Sequence, residues 1–219
     1  MVASLRRTAA PTGPTAPSTA PRSRASPRVI SRGTAGTGPV WFEVRTKAGQ
    51  RMEFGNSVDA RDLAQGGATV RNWLVNKVSD TKGNYFTITY INDATNGQVY
   101  PSRIDYTAND TAGLAAYNSV RFVYDTERPD VVPVYHAGAL IKTTVRLTNV
   151  QTYAGANLVG DYRLAYQQGS VTGRSQLASV TQCDGAGACM PATTFWSALD
   201  AVDGSSTGTR VPRTWLLLR

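Results

Sequence analysis

Apolar and polar residues alternate with a period of two through most of the chain after Val40, and this alternation is the strongest constraint on the fold. In "VWFEVRT", Phe42 and Val44 fall on one face of a strand, while Glu43 and Arg45 fall on the other. No segment longer than about a dozen residues keeps the 3.6-residue apolar stripe of a helix. The sequence therefore predicts a chain of β-strands with little helix.

The connections between the first strands repeat one type of turn. "VWFEVRT" and "QRMEF" are separated by a short loop that ends at Gly49, where a three-residue hairpin loop needs a positive φ. The stretch "VSDTKGNYFTITYIN" repeats this pattern with Gly83, and Asp80 can accept hydrogen bonds at the first turn position. Gly49, Gly83 and Asp80 are therefore predicted to shape two hairpins.

The first hairpin raises a question of register. The Gly49 turn places Glu43 opposite Glu53 and Arg45 opposite Arg51, and like charges directly opposite each other are unfavourable. A two-residue slip would instead pair Arg45 with Glu53. The turn chemistry favours the first register, because exposed charge pairs are weak and can be relieved diagonally.

Further short strands follow, separated by turn signals such as "TNG", "YAGAN" and "QQGSVTG". The predicted fold class is therefore all-β, a mainly antiparallel meander of short strands. The strands can be arranged as a partial propeller or shell, or as a sandwich.

The formal charge of +8 is concentrated in an N-terminal arm. Residues 1–38 contain six Arg and no acidic residue, whereas residues 38–199 carry 14 basic and 13 acidic side chains. The arm is rich in Pro, Ala, Thr and Ser, a composition that predicts disorder. It is interpreted as a solvated linker, although a basic arm can also attract phosphates or anionic lipids. We predict a β domain over residues 39–198 and an irregular tail over residues 199–219.

Neither a signal peptide nor a membrane span is recognisable. The start of the chain lacks a basic segment followed by an apolar run, and no stretch reaches the roughly 20 apolar residues that cross a bilayer.

Two cysteines, Cys183 and Cys189, flank a glycine-containing loop in "TQCDGAGACMP". A zinc site would need two further Cys or His ligands, and His136 is the one histidine of the chain. The pair can close a small disulfide ring, which would indicate an oxidising compartment, or remain as two thiols.

The residue pattern predicts no catalytic, cofactor or metal site. His136, in "PVYHAGA", has no second histidine beside it for metal chemistry, and is interpreted as a loop or packing residue. Asp125, Glu127 and Asp130 could hold calcium or act as an acid and base. The plainer interpretation is a polar turn, with Arg128 neutralising part of its charge.

Several motifs in order resemble a known family. "FEVRTKAGQRMEFG", "WLVNKVSDTKGNYFTITY", "YPSRIDYT", "VRFVYD" and "GRSQLASVTQC" before "CMPATTFWS" are similar to the SpvB-type N-terminal region of toxin-complex B components and RHS-repeat proteins. The resemblance covers about residues 38–197, and "VSDTKGNYFTITY" is also similar to a single RHS repeat.

The resemblance implies a structural function. Such regions form part of a β-rich shell that encloses or presents a toxin, so the expected partners are the remaining segments of the assembly, and the expected location is secreted or at the cell surface. Because family members are several times longer, the chain is expected to be a truncated fragment whose open sheet edges promote self-association. The Glu-x-Glu element of the SpvB transferase domain is missing, so no enzymatic activity is carried over.

An alternative function is a carbohydrate-binding β-sandwich. Aromatic rings exposed along a groove can stack on sugars, and Trp41, Trp73 and Trp196 are the rings that would do so. If at least two of these rings line one exposed groove, this alternative gains support. If they pack inside with Phe42, Ile88 and Leu147, it fails.

Overall fold

The computed structural model describes residues 4–6, 27–36, 38–136 and 138–195, and they form strands without any helix. The fifteen strands are β1 (Ser4–Arg6), β2 (Arg28–Arg32), β3 (Trp41–Arg45), β4 (Arg51–Phe54), β5 (Arg61–Leu63), β6 (Val70–Ser79), β7 (Asn84–Asp93), β8 (Gln98–Asn109), β9 (Asn118–Asp125), β10 (Val132–His136), β11 (Ala139–Thr143), β12 (Arg146–Ala154), β13 (Asn157–Gln168), β14 (Ser175–Asp184) and β15 (Thr193–Thr194).

Thirteen of the strands belong to one antiparallel sheet. Its main path runs β15-β14-β13-β12-β9-β8-β7-β6-β4-β3-β2, while β1 and β5 pair with β6 beside this path. Strands β10 and β11 form a separate hairpin between β9 and β12. The predicted all-β antiparallel meander is confirmed. Its two ends do not pair with each other, so the sheet is open, and the described strands form no second large sheet of the kind a sandwich needs.

One part of the predicted arm is ordered as a strand. Residues 28–32 were expected to be disordered, but they form β2 and pair along the whole length of β3. The β-branched residues Val29 and Ile30 favour a strand, and Arg32 gains a partner in Glu43. Residues 7–26 of the arm and the predicted tail, residues 199–219, lie outside the described residues.

The buried core is centred on β6. One cluster contains Phe54, Trp73 and Val75, with Phe42 packed against it, and a second contains Leu74 and Tyr90 on neighbouring elements. The ring of Trp73 meets that of Phe42 edge to face at 5.0 Å, a favourable aromatic geometry. The indole N–H of Trp73 donates to the carbonyl of Val40 at 3.0 Å, so its polar atom is satisfied.

The two predicted hairpins have the expected turn geometry. Gly49 and Gly83 adopt φ values of 83° and 85°, the left-handed conformation that glycine enters at little cost. Asp80 accepts hydrogen bonds from the backbone N–H groups of Lys82 and Asn84 at 2.8 and 2.9 Å. Its carboxylate also accepts from the side chain of Asn84, and these bonds lower its pKa below the ordinary value.

Gly83 also allows two turns to pack together. Its carbonyl accepts a hydrogen bond from the N–H of Asp110 in the turn after β8. A Cβ atom at Gly83 would lie 2.3 Å from Oγ1 of Thr111, whereas one at Gly113, which has a similar positive φ of 63°, would meet no atom within 4 Å. An alanine at Gly113 would therefore introduce backbone strain alone, whereas an alanine at Gly83 would introduce the same strain together with a steric clash.

We predict that Gly113→Ala lowers the free energy of unfolding by about 1 kcal/mol through backbone strain alone. Gly83→Ala should cost about 2 to 3 kcal/mol, because the same strain is joined by the clash with Thr111. Urea unfolding followed by tryptophan fluorescence measures both values. Equal costs for the two variants would contradict the close packing of these turns.

Candidate functional site

The sheet carries an apolar face that continues across ten strands. Strand pairing places side chains opposite one another in register, and directly opposed residues point to the same face. Cross-strand pairs, together with steps of two residues along a strand, connect one set of apolar residues from β2 to β14. The set is Val29, Val44, Met52, Val78, Phe86, Ile88, Ile104, Val120, Phe122, Val150, Tyr162, Leu164 and Val180. We call this set the apolar face.

The apolar face is only partly covered. Val29 and Tyr162 are exposed, and the other members are partly buried. Strands β9 to β14 contribute only Cys183 to the fully buried hydrophobic residues among the described part of the chain. The half of the sheet beyond β8 therefore has an apolar surface but no core of its own.

The opposite side of the sheet, which we call the polar face, carries charged side chains. Arg103 and Arg121 lie directly opposite each other on β8 and β9. Arg103 pairs with Asp105 at 2.6 Å, and the guanidinium of Arg121 stacks 3.8 Å from the ring centre of Tyr153. Each arginine thus has its own partner, which offsets the cross-strand repulsion.

The first hairpin shows the same arrangement of like charges. Glu43 lies opposite Glu53, and Arg45 lies opposite Arg51, which confirms the register predicted from the Gly49 turn. The expectation that these charges are exposed was wrong for the two glutamates, which are 1% and 6% exposed. Arg51 bridges diagonally, with its Nε 3.6 Å from Glu43 and its Nη2 3.0 Å from Glu53.

Glu43 is the centre of an arginine cluster. Arg32 Nη2 lies 2.7 Å from its Oε2, and Arg45 Nε donates to its Oε1 at 2.5 Å. Burial alone would raise the pKa of Glu43, but the hydrogen bonds from Arg32 and Arg45 and the charge of Arg51 together hold the pKa below its ordinary value. The cluster ties β2, β3 and β4 together. The sequence signal that pointed to it was the alternation of Arg and Glu, but the contribution of Arg32 was missed because it lies in the predicted arm.

The two cysteines are joined by a disulfide, Cys183 to Cys189. The ring turns the chain back along β14, so that the N–H of Met190 donates to the carbonyl of Gln182 and the N–H of Phe195 donates to that of Ala178. Strand β15 lies between these two bonds and pairs with Ser179 and Val180. The ring therefore holds a cover over the outer edge of β14, which would otherwise offer unpaired backbone groups.

Two of the three candidate acid and base residues, Asp125 and Asp130, are engaged in structural contacts. Asp125 pairs with Arg146 at 2.8 Å. Asp130 pairs with Arg128 at 3.0 Å and accepts hydrogen bonds from the backbone N–H and hydroxyl of Ser175. Although burial opposes it, these bonds lower the pKa of Asp130. Both carboxylates thus connect β9 and the following loop to the strands beside them.

No described group of three or more His, Cys, Asp or Glu residues is arranged to hold a metal ion. The described chain also contains no helix long and apolar enough to cross a membrane.

One of the aromatic residues named as sugar-stacking candidates is buried in the core. Trp73 is 2% exposed and packs with Phe42 inside the core, where Ile88 also contacts the cluster. Trp41 is partly buried, with the guanidinium carbon of Arg32 6.0 Å from its ring centre. Trp196 lies outside the described residues. The packing of Trp73 removes one of the three rings considered for sugar stacking, so the carbohydrate alternative is not favoured.

A cavity of about 480 Å³ lies between the main sheet and the β10–β11 hairpin. The hairpin is attached at its base, where Gln98 and Thr144 exchange two hydrogen bonds and the N–H of Lys142 donates to the carbonyl of Asn96. His136 lines the cavity together with Asp62, Arg71, Asn72, Tyr100 and Tyr124 and with aliphatic residues of the hairpin. Sequence analysis did not detect this cavity, because its polar residues come from six separate strands.

The fold is similar to that of solved toxin proteins. The N-terminal domain of the effector protein SpvB from Salmonella typhimurium strain LT2 matches with a TM-score of 0.61 and 15% identity, covering 77% of this chain and 68% of that domain. TcdB2-TccC3 matches with a TM-score of 0.59 and 18% identity over 77% of this chain. This chain spans only 11% of the TcdB2-TccC3 chain.

No protein-family model and no curated protein sequence matches the chain. At these identities the structural likeness shows the fold, which is that of an SpvB or toxin-complex domain, and leaves a specific family unassigned. The expected resemblance is therefore confirmed at the level of fold.

We predict that Glu43→Gln lowers the free energy of unfolding by about 2 kcal/mol at pH 7, because the arginines lose a charged acceptor. A carboxyl group with a lowered folded-state pKa stabilises the protein above its unfolded pKa and loses this effect as the pH falls. The difference between the wild type and the variant should therefore shrink as the pH falls below about 4.5. Urea unfolding at several pH values measures it.

Asp110→Asn is the matched control. Asp110 also forms an ion pair, with Lys77 at 2.8 Å, but its side chain is 56% exposed, so its removal should cost less than about 1 kcal/mol. A pH-independent cost for Glu43→Gln, or a cost no larger than that of the control, would contradict the buried cluster.

Replacing both cysteines, Cys183→Ser with Cys189→Ser, should lower the free energy of unfolding by about 2 kcal/mol, on the loop-entropy model. The amides of Met190 and Phe195 should also exchange hydrogen faster, because the cover over β14 loosens. Hydrogen exchange read by NMR measures this, and wild-type protein treated with a reductant should behave like the variant. Unchanged exchange at both amides would show that the ring does not hold the edge.

Proposed function

We propose that this protein is a structural scaffold segment of an RHS or toxin-complex-like polypeptide that encloses or presents a toxin for delivery. In this function the chain carries out no catalysis. Its partners are the remaining segments of the assembly, and it acts as part of a secreted or cell-surface toxin.

The observation that carries this proposal is the partly covered apolar face. Burial of apolar area stabilises a protein by about 25 cal/mol per Å², so an apolar sheet face favours a covering layer. In this protein the face extends past the core around β6 and across β9, β12, β13 and β14, where Leu164 and Val180 are only partly buried. Such a surface is suited to packing against further parts of a larger assembly.

The proteins of similar fold support the same interpretation. One is the N-terminal domain of the effector protein SpvB, and the other is TcdB2-TccC3, of whose chain the matched region is a small part. A domain that forms one piece of a long polypeptide has neighbours in the same chain. The apolar face and the terminal strand β2 are the surfaces through which such neighbours can attach.

We predict that the isolated chain self-associates through the apolar face. Tyr162 lies on this face and is 38% exposed, while Val123 lies on the polar face of β9 and is 39% exposed. Tyr162→Lys should weaken association by roughly 10-fold or more, because a charge cannot be buried between two apolar faces. Val123→Lys, which adds the same charge at the same exposure on the other face, should leave association unchanged.

Light scattering over a range of protein concentrations gives the association constants. Circular dichroism of both variants checks that the strand content is retained. A wild-type protein that stays monomeric at high concentration would contradict the proposal, as would equal weakening by the two substitutions.

A further inference from the structure

The cavity beneath the β10–β11 hairpin collects polar atoms that lack partners. Among the described residues, buried side-chain atoms without a hydrogen bond include Nη1 of Arg71, Oδ1 of Asn72 and Nδ1 of His136. All three residues line this one cavity. Buried polar groups in proteins are nearly always paired, so three unpaired atoms around one cavity indicate a place for a polar ligand.

The remaining bonds of Arg71 fix which of its atoms is free. Its Nε and Nη2 donate to the two carboxylate oxygens of Asp62 at 3.0 and 2.8 Å, and Nη2 also donates to the carbonyl of Gly97 at 2.8 Å. The side chains of Arg71 and Asp62 are only 6% and 3% exposed. The guanidinium is therefore held rigidly, and Nη1 is the one nitrogen left to donate to a ligand.

The free atom of Asn72 is an acceptor. Its Nδ2 lies 2.6 Å from Oδ2 of Asp62, and because a carboxylate only accepts hydrogen bonds, the amide orientation is determined. Oδ1 is thus the atom without a partner. The cavity offers a donor from Arg71, an acceptor from Asn72, and in His136 a nitrogen that can serve in either sense.

The charge of the site argues against an anion. The positive charge of Arg71 is already matched by the buried carboxylate of Asp62, which would also repel a second carboxylate. A neutral group that both accepts and donates fits the free atoms better. The walls add Val99, Val134, Ile141 and Val145, together with the rings of Tyr100 and Tyr124, which lie 4.6 Å apart between centres.

We propose that this cavity binds a neutral amide attached to a small branched apolar group. The amide carbonyl accepts a hydrogen bond from Nη1 of Arg71, the amide N–H donates to Oδ1 of Asn72, and the apolar group packs against the aliphatic walls. The volume of about 480 Å³ lies within the range of small-molecule sites. This proposal does not depend on the scaffold function, because the unpaired atoms that carry it belong to Arg71, Asn72 and His136, none of which is a member of the apolar face.

Three probes of the same shape test the proposal. 3-Methylbutanamide donates and accepts hydrogen bonds, 4-methyl-2-pentanone only accepts, and 3-methylbutanoate accepts but carries a negative charge. Titration of the isotope-labelled protein, followed by NMR chemical shifts, should give saturable binding of the amide with a dissociation constant on the order of 10 mM, as suits so small a ligand. The ketone should bind several-fold more weakly, and the carboxylate weakest of all.

A further probe, N-acetylvaline N-methylamide, distinguishes the two sources of an amide. If it binds at least as well as 3-methylbutanamide, the natural ligand is a peptide main chain. If only the primary amide binds, the ligand is a carboxamide-bearing small molecule or side chain.

Two substitutions on one strand locate the binding. Val134 is 54% exposed and lines the cavity, so Val134→Trp should block it and abolish the shifts at Gly97 and Val99. The next residue, Tyr135, is 74% exposed and does not line the cavity, so Tyr135→Trp should leave binding unchanged. Because both side chains are largely exposed, neither change threatens the fold.

Several results would overturn the proposal. The carboxylate binding more tightly than the amide would identify an anion site. Equal binding of the amide and the ketone would show that the unpaired acceptor of Asn72 takes no part. Shifts that do not saturate, or that persist in Val134→Trp, would show that the unpaired atoms are satisfied by water.

Discussion

The fold depends on the strict register of its cross-strand pairs. Because successive residues of a strand point to opposite faces, a slip of one residue in any hairpin would place charged side chains on the apolar face. The glycine turns hold this register even where it places like charges together, as for Glu43 and Glu53. The arginine cluster then stabilises the arrangement that the turn has imposed. The turn geometry sets which residues pair across the hairpin, and the arginine contacts then stabilise that pairing.

This register produces a protein with two different surfaces. Near β6 the apolar face is folded into a core by Trp73 and its neighbours, so that region has stability of its own. Beyond β8 the same face continues without equivalent cover. The molecule thus combines a half with a core of its own and a half that would gain more stability from an added layer, which agrees with the proposed scaffold function.

The sequence predicted those features that depend on local chemistry. Alternation gave the strands, and the positive φ required at Gly49 and Gly83 gave the hairpins and the register of the first one. The order of motifs also led to the correct fold type. These features are set by residues close together in the chain, so a single sequence is enough to reveal them.

Features that depend on distant contacts were missed. Strand β2 was predicted as disordered because its stability comes from pairing with β3 and from the contact of Arg32 with Glu43. The cavity polar groups were invisible for the same reason, since Arg71 and His136 are brought together only by the path of the β10–β11 hairpin over the sheet. Burial of Glu43 likewise needs partners from three strands. The composition of the chain and the spacing of its residues do not reveal contacts between residues that are far apart in sequence.

The scaffold function requires that the apolar face beyond β8 is only partly covered in the isolated chain. It is tested most directly by NMR of methyl groups in dilute protein with a soluble paramagnetic agent, which broadens the signals of exposed methyls. The methyl signals of Leu164 and Val180 should broaden clearly more than those of Leu74 and Val75 in the core. Equal protection of all four residues would show that the face is already covered and would contradict the account.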